Sequence, residues 1–170
     1  MPETKYGKYF VEYDPGWFPK ERRPVMARME NGIMDGSHFY LIHWMMPNIN
    51  VPAGKHPMGG HPPHIHRDAE LLFHIGTNPD DPMDLGAEVE MYMGPEMERH
   101  VINRTCCIFI PPNFIHAPWR PVKTTRPWIF IEVNQGPDHT EKSYRQLLPK
   151  EVREDMDWSM WPDEGYGSPD

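Results

Sequence analysis

Four histidines and a glutamate lie within the segment GGHPPHIHRDAELLFHIG, residues 59–76. In an extended chain His64 and His66 project from the same face with their Cα atoms roughly 7 Å apart, so both imidazoles can reach one metal ion. Glu70 would lie roughly 13 Å beyond His66 on a straight strand, too far for the same ion. Residues 67–69 must therefore turn the chain if Glu70 is a ligand. The alternative is a histidine-rich loop without a metal.

A fourth ligand is available in the segment IPPNFIHAPW, residues 110–119. His116 follows a pair of prolines that restrict the chain, and Asn113 can adopt a left-handed turn. Three histidines and one carboxylate leave up to two positions open on a six-coordinate ion, as a catalytic metal needs. We expect one divalent transition metal per chain. The ligand types suit Fe(II), Mn(II), Ni(II), Co(II) and Zn(II) alike.

Short strands joined by turns must position these residues. The 21 prolines among 170 residues argue against long helices. A helix is expected only within residues 140–156, where Pro149 interrupts it, and residues 111–125 are expected to form a loop. Runs of branched, aromatic or alternating residues predict the strands. The predicted strands are residues 37–46, 70–76, 87–93, 99–110 and 127–134.

The bulk composition is that of one soluble globular domain. The net charge of −8 and the lack of a basic cluster argue against a nucleic-acid partner. No apolar run is long enough for a membrane span, and the N-terminus lacks the apolar segment of a secretory signal. The only cysteines, Cys106 and Cys107, are adjacent and poorly placed for an intrachain disulfide. These features favour a cytoplasmic protein without a membrane partner.

The first histidine segment resembles the first motif of the cupin superfamily, which runs roughly G(x)5HxH(x)3–4E(x)6G. Gly59, His64, His66, Glu70 and Gly76 match this motif, with both glycine spacings one residue short.

The second segment resembles the second cupin motif, roughly G(x)5PxG(x)2H(x)3N. Pro111 and His116 match it, whereas Asn113, Arg120 and Thr105 replace the central glycine, the terminal asparagine and the first glycine. All four metal-ligand positions are intact, and the departures fall on other positions of the motif.

The resemblance covers about residues 38–135 and implies an all-β fold, a conical double-stranded β-helix with one metal held inside by three histidines and a glutamate. It agrees with the strand pattern. We expect an N-terminal arm at residues 1–36, the cupin barrel at 37–136, and a helical extension with an acidic tail at 137–170.

Other residues are candidates for catalysis or substrate binding. Alternation places His74 on the same side as Glu70, either as a proton shuttle or as a hydrogen-bonded core histidine. Tyr40 is a second candidate for catalysis. Arg67 and Arg120 are candidates for pairing with an anionic substrate, the alternative being surface salt bridges. The aromatic residues that are candidates for the substrate pocket, or for ordinary core packing, are Trp44, Trp128 and Phe130.

The expected function is that of a metalloenzyme acting on a small oxygenated organic acid, with a dioxygenase acting on an aromatic or phenolic acid as the first choice. A lyase, isomerase or decarboxylase of the same fold is the alternative. Two further alternatives are not catalytic: a protein that binds or senses a small molecule, and a storage barrel.

The aromatic N-terminal arm and the tail with Trp158 and Trp161 carry apolar surface that another surface must cover, as does the outer side of strand ELLFHIG. We therefore expect a homodimer. His56 and His61 are expected to be loop residues at the barrel mouth.

Overall fold

The computed structural model describes residues 4–12, 24–47 and 61–155, together with residues 158 and 166. The described part is almost entirely β-structure, with two short 3-10 helices, Gly7–Tyr9 and Arg145–Leu147, and one short α-helix, α1, Lys150–Asp155. The strands are β1 Val25–Met29, β2 Phe39–Met45, β3 His64–Ile65, β4 Glu70–Ile75, β5 Asp84–Met93, β6 Glu98–Arg104, β7 Cys106–Ile110, β8 His116–Thr124, β9 Trp128–Asn134 and β10 Lys142–Ser143.

These strands form two five-stranded antiparallel sheets. The first sheet has the order β1-β2-β9-β4-β7 and the second the order β10-β3-β8-β5-β6. Both sheets contribute to one buried apolar cluster, in which Leu72 and Trp128 of the first sheet join Val89 and Met91 of the second. The predicted all-β double-stranded β-helix is confirmed. None of the described helices has the length and apolar character that crossing a bilayer requires.

Alternation along the first sheet separates an inner from an outer face. On β4, Glu70, Leu72 and His74 are buried, whereas the residues between them are partly exposed. Across the sheet His74 pairs with Phe130 of β9 and with Cys106 of β7, so the same inner face continues on both neighbouring strands. His74 therefore lies on the inner face together with Glu70, the side that alternation predicts.

The expected single strand at residues 99–110 is two strands that belong to different sheets. The break is at Thr105, whose backbone N–H donates to the Met83 carbonyl at 3.0 Å and whose hydroxyl donates to the Pro82 carbonyl at 2.6 Å. The hydroxyl also accepts the Gly76 N–H at 2.9 Å. At Thr105 these side-chain and loop contacts take the place of the hydrogen bonds between strands. The pattern of apolar residues along the sequence does not reveal them.

The expected loop at residues 111–125 contains β8, the central strand of the second sheet. Its prolines obscured it, because proline cannot donate to a ladder. The pairing with β5 shifts register between Met91 and Met93, and Ala117 has a φ of 71°. A bulge thus accommodates the Ala117–Pro118 pair within the strand.

Both sheets extend beyond residues 37–136. β1 lies within the expected N-terminal arm and pairs with β2, and β10 lies within the expected C-terminal extension and pairs with β3. The tail residue Trp161 and the loop residue His56 lie outside the described residues.

Candidate metal centre

The four predicted metal ligands meet where the two sheets come together. His64 lies on β3 directly opposite His116 at the start of β8, and Glu70 begins β4 in the other sheet. The chain crosses between the sheets through residues 67–69. Two backbone bonds hold this crossing: Asn113 N–H donates to the His66 carbonyl at 2.9 Å, and Gln135 N–H donates to the Ala69 carbonyl at 2.8 Å.

Close packing and a left-handed turn fix the same crossing. A Cβ on Gly136 would lie 2.0 Å from Oδ2 of Asp68, so any larger residue at this position would displace the Asp68 side chain. Asn113 has a φ of 59°, the left-handed conformation expected for it. The turn between His66 and Glu70 that ligation requires is therefore built into the fold.

The ligand atoms converge at short range. Nε2 of His64 and Nε2 of His66 are 3.1 Å apart. The Glu70 carboxylate is 3.3 Å from Nε2 of His66 through Oε1 and 3.2 Å from Nε2 of His116 through Oε2. One nitrogen from each of the three histidines lies within 4.8 Å of the others, and all four residues are buried.

Each of the three imidazoles is oriented by a backbone carbonyl. Nδ1 of His64 bonds to the Pro62 carbonyl at 2.7 Å, and Nδ1 of His66 bonds to the Thr140 carbonyl at 2.7 Å. Nδ1 of His116 bonds to the Phe114 carbonyl at 3.0 Å. A carbonyl can only accept, so Nδ1 carries the proton and Nε2 presents its lone pair to the centre.

This geometry fits a divalent transition metal. Metal–ligand bonds of about 2.0–2.1 Å at right angles place neighbouring ligand atoms about 3 Å apart, close to the separations observed. Without a cation, the Nε2 lone pairs of His64 and His66 would face each other, and Oε2 of Glu70 is buried with no hydrogen-bond partner among the described residues. The four side chains could together hold one divalent transition metal.

The electrostatics of the centre also favour cation binding. Burial lowers the pKa of His64 well below its usual value, so this imidazole is neutral and available as a ligand. Burial raises the pKa of Glu70, but the neighbouring His66 and His116 outweigh burial and hold it well below the usual range. Glu70 is therefore ionised. Burial lowers the pKa of His66, but Glu70 outweighs burial and raises it, so without a metal a proton on His66 takes the place that a cation would occupy beside Glu70.

A second group of histidines and carboxylates adjoins the ligands. Glu141 contacts His61, and His139 lies between Glu141 and Glu132. His61 was expected to be a simple loop residue, but its Nε2 bonds to Oε1 of Glu141 at 2.7 Å. His139 and Glu141 were not predicted. Their i, i+2 spacing is the only sequence signal they offer, because it places both on one side of an extended segment.

His74 lies deeper in the barrel, in an aromatic layer on the inner side. Its Nε2 accepts a hydrogen bond of 2.9 Å from Nε1 of Trp119, and its ring stacks on Trp128 at 5.5 Å. Trp119 also stacks on Phe130 at 4.5 Å. Trp128 and Phe130 thus face the interior, and Trp119 is an interior residue that the sequence analysis missed.

Arg120 is not brought to the metal centre. On β8 the three steps from His116 to Trp119 lie opposite only two steps on β5, from Met93 to Met91. This bulge at Ala117 places Trp119 rather than Arg120 on the inner face with His116. Nε of Arg120 donates to Oε2 of Glu90 at 2.8 Å, and Arg99 donates to the other oxygen of that carboxylate. Arg120 is therefore engaged in a buried ion pair.

Three other candidates point away from the centre. Arg67 is exposed, and its guanidinium lies 5.1 Å from the Tyr166 ring centroid. Tyr40 and Trp44 alternate with the buried residues of β2 and lie on its outer face, where Tyr40 is 40% exposed. The structure does not bring these three side chains together with the ligands.

A cleft of about 460 Å³ lies elsewhere, between β5, β6 and β8. It is lined mainly by polar and charged residues, among them Glu88 and Lys123. This pair lies far along both strands from the pair of Met93 and His116. The cleft is therefore separate from the histidine centre.

No protein-family model and no curated protein matches the chain. Among solved structures it is similar to hydroxypropylphosphonic acid epoxidase from S. wedmorenis, with 15% identity and a TM-score of 0.42 over 74% of this chain and 59% of the epoxidase. The epoxidase with Fe(II) and substrate gives 16% identity and a TM-score of 0.42 over 74% of this chain and 56% of that one. The DMSP lyase DddQ from Ruegeria pomeroyi DSS-3 gives 22% identity and a TM-score of 0.35 over 59% of this chain and 39% of the lyase.

The chain spans less than two thirds of the length of these three structures. Similarity at this level assigns neither substrate nor reaction.

Proposed function

We propose that this protein is a metal-dependent enzyme of the cupin type that acts on a small oxygenated organic acid, with dioxygenase chemistry on an aromatic or phenolic acid. The observation that carries the proposal is the convergence of three Nε2 atoms and the Glu70 carboxylate, with each imidazole held at Nδ1 by a carbonyl. Four protein ligands leave open positions on a six-coordinate ion, as a catalytic metal needs.

The roles of the chain's own residues follow from their placement. His64, His66, Glu70 and His116 bind the ion, and their carbonyl partners keep Nε2 unprotonated. A bound metal would supply Lewis acidity, and iron would also supply electrons to oxygen. Arg67 and Arg120 do not face the centre, so an acid substrate would bind through its carboxylate or hydroxyl at the open positions. The aromatic layer of Trp119, Trp128 and Phe130 closes the interior against water.

Oxygen uptake tests the reaction class. We expect Fe(II)-loaded protein, incubated with a panel of phenolic and 2-hydroxy aromatic acids, to consume one O₂ per molecule of substrate, because a dioxygenase adds both oxygen atoms to its substrate. An oxygen electrode and chromatography of the same samples give both quantities. His116→Ala, loaded identically, is the negative control, and His100→Ala, which removes an exposed histidine, is the matched positive control.

The alternatives have different outcomes. Substrate loss without oxygen uptake, in Fe(II), Mn(II) or Zn(II) protein alike, would contradict oxygenase chemistry and indicate a lyase, isomerase or decarboxylase. A ligand that binds and is recovered unchanged after prolonged incubation would contradict an enzyme and indicate a sensor.

The free, partly exposed cysteines Cys106 and Cys107 support our proposal of a reducing, cytoplasmic location.

The outer face of the first sheet supports our proposal of a homodimer. It carries no charged residue on β2, β4, β7 or β9. Phe109 on this face is 58% exposed, and Tyr40 is 40% exposed. An uncharged surface lets two chains of net charge −8 meet without bringing like charges into contact, and a second copy offers the same surface. The outer-face residues are Tyr40, Ile42, Trp44, Leu71, Phe73, Ile75, Cys107, Phe109, Ile129, Ile131 and Val133.

A charge placed on this face should separate the two copies. We expect Phe109→Asp to convert a dimeric mass of about twice 20.0 kDa to the monomeric mass in light scattering at micromolar concentration. Val101→Asp, at a 42% exposed apolar position of the second sheet, is the matched control and should remain dimeric. A monomeric wild-type protein would contradict the proposal.

A further inference from the structure

Asn134 carries a buried side-chain amide whose polar atoms are unpaired. The residue is 0% exposed, and neither Oδ1 nor Nδ2 has a hydrogen-bond partner among the described residues. Burying an amide without hydrogen bonds is unfavourable, and most buried polar groups in proteins are paired either with protein or with a bound molecule. An amide in this condition therefore indicates a position that contacts a group other than protein.

The sheet places Asn134 beside one of the candidate metal ligands. Asn134 is the last residue of β9, on the inner face with Phe130, and it pairs directly with Glu70 of β4. Side chains of directly paired residues share a face, with Cβ atoms about 4.5–5.5 Å apart. On its other side Asn134 pairs with Phe39 of β2, which is 0% exposed and has an apolar ring. The amide therefore lies between Glu70 and an apolar neighbour.

The contacts of Glu70 show that the amide does not orient this carboxylate. A residue that orients a metal ligand hydrogen-bonds to it, as the backbone carbonyls do to the three imidazoles. Oε1 of Glu70 lies 3.3 Å from Nε2 of His66, and Oε2 lies 3.2 Å from Nε2 of His116, but Asn134 bonds to neither oxygen. The amide is therefore available to a molecule that binds at the centre.

An acid bound at the metal needs a hydrogen-bond donor that the ligands do not supply. The Nδ1–H groups of the three imidazoles are all bonded to backbone carbonyls, and their Nε2 atoms face the metal position. Arg67 and Arg120 do not face the centre. A carboxylate oxygen keeps lone pairs that can accept hydrogen bonds, and Nδ2 of Asn134 carries two N–H groups. The amide beside Glu70 therefore has the chemistry to bind such an oxygen.

We infer that Asn134 is a substrate-binding residue, whose Nδ2 donates a hydrogen bond to the carboxylate of a small acid bound at an open position of the metal. The inference rests on the metal site and the acid substrate of the proposed function, but not on its reaction. A neutral donor suits this position, because a lysine or arginine here would form an ion pair with the Glu70 carboxylate and compete with the metal for it.

Formate, the smallest carboxylate, tests the inference without a reaction. Its affinity for Co(II)-loaded protein is measured from the change in the visible absorption of Co(II). We expect Asn134→Leu and Asn134→Ala to bind formate at least about 10-fold more weakly than the wild type, as loss of a hydrogen bond to a charged group predicts. Their Co(II) affinity should fall by less than the roughly 10-fold that loss of an outer partner costs. Asn103→Leu, at an exposed position of β6, is the matched control and should bind formate like the wild type.

The outcomes separate this inference from the proposed function. Equal formate affinity in the wild type and the Asn134 variants, or Co(II) absorption that formate does not change in the wild type, would overturn the inference and leave the metal site intact. Co(II) affinity lowered 10-fold or more in both variants would also overturn it and make Asn134 an outer partner of Glu70. No Co(II) binding by the wild type would overturn the metal site as well. A cooperative thermal transition shows that a variant is folded, and either variant alone suffices for the test.

Discussion

Replacing His116 by alanine is expected to weaken Co(II) binding at the predicted four-ligand site by at least about 100-fold, since loss of an outer partner alone costs 10–100-fold. Nε2 of His116 lies 3.2 Å from Oε2 of Glu70, and its ring centroid lies 4.2 Å from that of His64. The substitution removes a ligand from the second sheet and leaves the buried Glu70 carboxylate with less compensation. Isothermal titration with Co(II) measures the affinity directly.

The same change should abolish stabilisation by the metal. A ligand at 100 times its Kd stabilises the folded state by about 2.7 kcal/mol, so Co(II) should raise the Tm of the wild type and of His100→Ala but not that of His116→Ala. The control removes an exposed histidine whose side chain is 49% accessible. Equal Co(II) affinity at this site in His116→Ala and the wild type would contradict His116 as a ligand.

The second large effect is expected in acid, and its source is His74. Burial lowers the pKa of His74 to about 4, although a backbone bond at Leu72 opposes the shift. The unfolded chain has the ordinary value of about 6.5, so between these two values the unfolded state binds a proton that the folded state does not. Stability from this residue is therefore complete above about pH 6.5 and falls as the pH decreases toward 4. The loss is about 3 kcal/mol over this window.

A comparison with His74→Phe isolates this contribution. The variant removes the acceptor of the Trp119 N–H, so at pH 7 it should be less stable than the wild type by about 1–3 kcal/mol. The free energy of unfolding of the wild type relative to that of the variant should fall by about 3 kcal/mol between pH 7 and pH 4, which closes or reverses the difference, because only the wild type loses stability through His74. Urea unfolding of metal-free protein at several pH values measures both curves. Parallel curves would show that His74 does not titrate as expected, and His100→Gln, at an exposed position, should run parallel to the wild type.

The convergence of the four candidate ligands could be predicted from sequence because they lie in two short local patterns. The spacing of His64 and His66 indicates a shared face, and Glu70 requires only one turn. The all-β arrangement follows from residue types that favour strands. What these patterns do not contain is the pairing of distant strands: β10 joins the centre to residues 139–143, more than 60 residues after β3. The His139 and Glu141 cluster therefore depends on tertiary structure.

Local irregularities account for most of the other differences. Strict alternation along β8 would place Arg120 on the same side as His116, but the bulge at Ala117 reverses the order and turns Trp119 inward. Thr105 similarly interrupts one apolar run and sends its halves to separate sheets. A single residue changes the face of every residue after it, and neither residue type is diagnostic of such a break.

The dependence of His66 on the Thr140 carbonyl has a practical consequence for any shortened form of the protein. Four residues after Thr140, Tyr144 donates its N–H to the Pro63 carbonyl at 2.7 Å. Residues 140–144 therefore hydrogen-bond to residues on both sides of β3. A gene product truncated after β9, or a proteolytic cut there, would keep all of the long strands while losing the acceptor that fixes one ligand. Truncation boundaries and fusion partners should therefore be placed after residue 144.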